Sequence, residues 1–227
     1  RGHRFVFLSD VRGAAEPTRL ASRTIQALAE GPGLDAVMVE VGNEQQPYLD
    51  VYFNTEPENA SVLLSQPRTV PETGAANREF IELYHQIWIL NQKLGADRRI
   101  RVIAGDLEGW PDEEAVSPAE RARRFGERGP AMVKNLDTEV LLTTPRARVL
   151  VFMTGLQSLR SGYGQLQTGG TATVAAHWFA SVLNDRKPGD VFSVIVDAGT
   201  GSGVREFVDY RGTRLGEVVE TMPAGSY

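Results

Sequence analysis

The chain contains no cysteine and only three histidines, His3, His85 and His177, among its 227 residues. Disulfides and thiolate chemistry are therefore excluded, and metal ligands other than carboxylates are nearly absent. None of the three histidines has a second one at ligand spacing, so no metal site is expected. A lack of cysteine leaves the compartment open, since an exported protein needs none. No stretch approaches the roughly 20 apolar residues of a membrane span. The net charge of -5 argues against nucleic acid or an anionic membrane as the partner. None of the serines sits in a Gly-x-Ser-x-Gly elbow. The glycine-rich stretch Gly199-Thr200-Gly201-Ser202-Gly203 lacks the lysine of a phosphate-binding loop.

Hydrophobic residues make up 41% of the chain, enough for one ordinary core. Four apolar runs, Arg4 to Ser9, Ala36 to Val41, Arg101 to Ala104 and Arg148 to Met153, have the length and composition of buried parallel strands. A fifth, Val191 to Ala198, follows the turn Lys187-Pro188-Gly189-Asp190. Helical patterns alternate with them. Pro17 to Ala29 carries proline in its first turn, and Arg78 to Lys93 has a broad apolar face. Ser117-Pro118-Ala119-Glu120 is a capping box that opens a helix. A helix through Met132, Leu136 and Val140 leads into the fourth strand, and Thr173 to Leu183 reads as another helix. This alternation predicts a single three-layer α/β domain over residues 1–227, with a mainly parallel sheet and helices on both faces. Residues 54–75, polar and punctuated by prolines, read as an inserted lid or loop. Ser161 to Thr171, with four glycines, reads as a mobile loop, and the tail from 201 as irregular with a late hairpin.

Ligands of such sheets bind at the carboxyl ends of the strands. Those ends carry Asp10 and Arg12, Glu40 and Asn43, Asp106 and Glu108, and Thr154 to Gln157. Asp10 and Glu40 are the candidate catalytic pair: on neighbouring strands they would share a proton, one acting as general acid or base. The alternative is that Arg12, or Arg128 from a helix, pairs with them and holds both ionised. Gln45 and Gln46 begin a helix with Pro47 in its first turn, where they either hold a ligand or cap the helix. Asp106 is either an edge carboxylate of the site or a turn cap. The candidate ligand-binding set is Arg12, Asn43, Gln45, Gln46, Asp106, Gln157 and Arg128.

These motifs resemble the superfamily of erythromycin esterase-like, ChaN-like and Tiki-like proteins. The likeness rests on Leu8-Ser9-Asp10-Val11-Arg12-Gly13, on Val39-Glu40-Val41-Gly42-Asn43-Glu44-Gln45-Gln46 and on Leu49-Asp50-Val51-Tyr52. It continues through Tyr84 to Asn91, Arg99 to Asp106, Arg128 to Asn135 and Pro188 to Phe192. The resemblance implies a strand-end pocket in which histidines bind metal or activate water. The chain departs from it at those positions. Asp10 replaces a longer glutamate, Arg12 stands where the first histidine is usual, and Gly129 replaces an aspartate after Arg128. Phe152 to Ser158 has no histidine. Arginine offers only donors and stays charged, so it substitutes for neither role.

The resemblance therefore implies an exported, catalytically degenerate protein that binds a small-molecule ligand. Its opening on Arg1 rather than Met fits the removal of an upstream segment. ChaN-like proteins bind haem, and the available axial donors here are His85, His177, Tyr52 and Tyr163; no cofactor is expected. A second reading is a metal-independent hydrolase of esters or peptides, in which Asp10 or Glu40 activates water and Arg12 holds the oxyanion. Phe7 to Gly13 and Gly42-Asn43-Glu44 also resemble metallophosphoesterases, whose further ligands are missing, which makes a degenerate protein of that kind a third reading.

Overall fold

A computed structural model describes residues 2–10, 15–64, 78–110, 117–161, 163–167 and 173–196. Five parallel strands form one sheet: β1 (Phe5–Asp10), β2 (Ala36–Gly42), β3 (Arg101–Asp106), β4 (Val149–Thr154) and β7 (Val191–Val194). Their spatial order is β3-β2-β4-β1-β7. Side chains alternate across this sheet, and each face buries its own core. One face, with Leu8, Val37, Val39, Val102, Leu150 and Phe152, packs against α1 (Ala15–Glu30), α2 (Gln46–Asn54), α3 (Ser61–Leu64) and α4 (Arg78–Lys93). The other, with Phe7, Met38, Ile103, Val151 and Met153, packs against α5 (Pro118–Leu136) and α6 (Phe179–Arg186). All seven residues of β2 are buried, as expected for a parallel strand covered on both sides. This is the three-layer α/β architecture expected from the sequence.

The helix layers follow from handedness. Chain paths from β1 to β2 and from β2 to β3 move toward the β3 edge and run through the first layer. Those from β3 to β4 and from β4 to β7 move the opposite way and run through the second. The connection leaving β4 therefore lies on the face opposite to those leaving its two neighbours, β1 and β2. Crevices open at the carboxyl ends of strands where such a switch occurs.

Several expectations are corrected. Thr173 to Leu183 is not one helix: β6 (Thr173–His177) is a strand, and α6 begins after Trp178. β6 pairs antiparallel with β5 (Tyr163–Gln167), which lies inside the stretch read as a loop. Glycines mask the alternation of that strand, and its pairing partner supplies what local propensity does not. Gly129 of α5 admits β6 directly, since a Cβ there would lie 1.9 Å from the His177 carbonyl oxygen. The fifth parallel strand ends at Val194 rather than Ala198. The helix starting at Pro118 runs unbroken to Leu136, despite Pro130, and continues as one wide π turn over Asp137–Leu141. Ser117 caps it by accepting a hydrogen bond from the Glu120 amide at 3.2 Å, while the Glu120 carboxylate pairs with Arg123. Of the expected lid, residues 54–64 are described. Its remainder and the late hairpin lie outside the described residues, as does the Gly199–Gly203 stretch.

Candidate functional site at the strand ends

Glu40 and Asp10 do not face each other on adjacent strands, because β4 lies between β2 and β1. Thr154, the last residue of β4, takes the intermediate place. It pairs in register with Asp10, and it donates to Glu40 twice, from its amide to Oε2 at 2.7 Å and from Oγ1 to Oε1 at 3.2 Å. Backbone pairing of β2 with β4 ends at Val39 opposite Phe152. The Glu40 side chain thus accepts the amide that a longer β2–β4 ladder would have used.

Glu40 points from β2 toward α5, where Arg128 waits. The guanidinium donates from Nη2 to Glu40 Oε1, and it forks onto Asp106 with Nε to Oδ1 at 2.9 Å and Nη2 to Oδ2 at 2.6 Å. The Arg128, Glu40 and Asp106 side chains are only 3%, 5% and 1% exposed. Trp110 and Phe125 flank the cation, with ring centroids 5.0 and 5.5 Å from the guanidinium carbon. The Leu107 amide donates to Asp106 Oδ1 at 2.7 Å. Asn135, one helical face along from Arg128, donates to the Gly105 and Asp106 carbonyls at 3.1 and 3.0 Å.

This cluster carries two acids against one base. Burial raises the Asp106 carboxyl pKa and the Glu40 charge adds to that, outweighing Arg128, so it sits above the ordinary carboxylate value. For Arg128, burial opposes the charged form, but Asp106 and Glu40 more than offset it, and its pKa is raised.

The other predicted residues have specific tasks. Gln46 donates to the Val102 carbonyl at 3.0 Å and accepts from the Ala104 amide at 2.7 Å, so its amide group pairs with the open edge of β3. Asn43 donates to the Ala104 carbonyl at 3.2 Å. Gln157 accepts from the Phe179 amide at 3.0 Å and caps the start of α6. Gln45 is buried, and its side-chain Oε1 has no hydrogen-bond partner among the described residues. Arg12 lies outside the described residues. Among the described residues, no group of three or more His, Asp or Glu side chains is placed to hold a metal ion, and no helix is long and apolar enough to cross a membrane. Of the residues named as haem donors, Tyr52 and His85 both bind the Glu58 carboxylate. The Tyr163 side chain lies outside what is described.

The doubly covered parallel sheet is an architecture that this chain shares with solved structures of low sequence identity. The erythromycin esterase EreC, solved as a histidine-to-asparagine mutant in its open conformation, aligns with a TM-score of 0.60 at 11% identity. The alignment covers 89% of this chain and 74% of that one. A Bacillus cereus protein aligns at 0.58 and 12% identity, over 85% of this chain and 65% of its own, so the chain spans just under two thirds of that protein. ChaN of Campylobacter jejuni, solved with cofacially bound heme, aligns at 0.46 and 8% identity over 88% and 84%, too distant to bear on the site. At these identities the likeness is one of fold. No protein-family model and no curated protein matches the chain.

Proposed function

We propose that the chain is a small-molecule-binding domain in which the strand-end acids support the site rather than break bonds. The observation that carries this reading is the commitment of both carboxylates. Glu40 Oε1 faces Arg128 and the Thr154 hydroxyl, and Oε2 faces the Thr154 amide. Both Asp106 oxygens face Arg128, and one also takes the Leu107 amide. A general base must present a lone pair to the proton it removes, and every oxygen of these two buried carboxylates already accepts at least one hydrogen bond from the protein. The ligand lies beside the cluster, at the crevices flanking β4.

A second reading, metal-independent hydrolysis of an ester or peptide, is favoured by the surplus acid in the cluster and by a fold shared with an erythromycin esterase. One experiment separates the two. An ester and peptide panel is run with chelator on the wild type and on Glu40→Gln. Binding without hydrolysis predicts no turnover by either protein. Turnover that survives chelation and disappears in Glu40→Gln overturns that reading in favour of the second. Titration with haemin tests the haem branch, and an unshifted Soret band removes it.

A further inference from the structure

Away from the strand ends, Glu58 gathers two side chains from different helices. The Tyr52 hydroxyl, on α2, donates to its Oε1. Nδ1 of His85, on α4, lies 2.9 and 2.8 Å from its two oxygens. Tyr52 is fully buried, whereas the His85 side chain is 42% exposed. A carboxylate on one ring nitrogen fixes the orientation of the imidazole and directs the other nitrogen outward. Nε2 of His85 makes no hydrogen bond among the described residues.

His85 lines a hollow of about 390 Å³ between α1 and α4. Arg19 and Arg23, one helical turn apart on α1, line the same hollow, with Thr18, Ser22 and Glu82 beside them. Neither guanidinium has an ion-pair partner among the described residues, although Glu82 stands on the same rim. Two guanidinium groups without an ion-pair partner among the described residues and an oriented imidazole line one hollow, a donor set suited to a multiply charged oxyanion. A carboxylate has only two oxygens to offer, whereas a phosphate monoester offers three and is a dianion near neutral pH.

We infer that this hollow binds a phosphomonoester group, with Arg19 and Arg23 gripping its oxygens and His85 Nε2 sharing a proton with one of them. Glu58, backed by Tyr52, is the positioning residue that holds the imidazole ready. Besides Glu58 on Nδ1, the charged groups that line the hollow with His85 are Glu82, Arg19 and Arg23.

The test follows the His85 ring nitrogens by NMR while phenyl phosphate, inorganic phosphate or acetate is added at constant ionic strength. Phenyl phosphate is expected to shift Nε2 saturably, and acetate to leave it in place. Arg19→Gln with Arg23→Gln is expected to weaken binding by about tenfold or more, with circular dichroism unchanged. Glu58→Gln is expected to weaken binding while leaving both arginines in place. A shift equal in the double variant, a shift equal with acetate, or binding of inorganic phosphate without phenyl phosphate would each overturn the inference. Tyr52, Glu58 and His85 would then be only a clip joining α2 to α4.

Discussion

Arg128 and Asp106, 22 residues apart in the chain, meet through two parallel hydrogen bonds of 2.9 and 2.6 Å, sealed from water under Trp110. A fork of this kind fixes both partners in one geometry. It also makes the cluster sensitive to the loss of either charge.

Arg128→Met is expected to cost about 3–5 kcal/mol in urea unfolding, because it leaves the buried Glu40 and Asp106 carboxyls without their cation. Replacing all three residues together, as Arg128→Met with Glu40→Leu and Asp106→Leu, is expected to recover most of that loss. A triple variant no more stable than Arg128→Met would show that the cluster contributes through something other than its charges.

Asp106 gives the fold a pH dependence whose sign follows from its raised carboxyl pKa. Between the ordinary carboxylate value and the raised one, the folded chain keeps a proton that the unfolded chain has released. Stability from this group therefore falls as pH rises through that window. The wild type is expected to gain stability relative to Asp106→Asn as pH drops from 7 toward about 4. Paired thermal melts across that range check it, and the opposite slope would mean that Arg128 outweighs burial.

Gly129→Ala is expected to destabilise by about 1–3 kcal/mol, since its new methyl must displace the β6 backbone at His177. Loss confined to the β5–β6 hairpin would appear as faster amide exchange there while β2 and β4 stay protected.

Gln46→Ala is expected to cost about 1–3 kcal/mol, because the buried Ala104 amide and Val102 carbonyl lose their partner. Hydrogen exchange at Ala104 is the direct readout, and unchanged protection there would count against the edge-pairing role.

Much of this was legible in the chain. The apolar runs at Phe7, Met38, Ile103 and Val151 alternate with helical patterns, and that alone predicts a parallel sheet covered on both faces. The spacing of Arg128, Met132 and Asn135 on one helical face was a usable signal for what α5 sends to the strand ends. Thr173 to Leu183 misled because Ala175 and Ala176 suit a helix locally and run on into the true helix, and only pairing with β5 makes Thr173–His177 a strand. Nothing in the spacing between Tyr52, Glu58 and His85 announced that one carboxylate would serve both of the others.

Composition and periodicity determined that this chain has no thiols, few imidazoles, a parallel sheet and acids at several strand ends. Those are properties of residue type and order along one strand or helix. Strand order was beyond their reach, because it depends on which way each connection crosses the sheet. Only the folded molecule put β4 between Asp10 and Glu40, turned Glu40 toward Arg128, and brought Asp106 in as the second acid on that guanidinium.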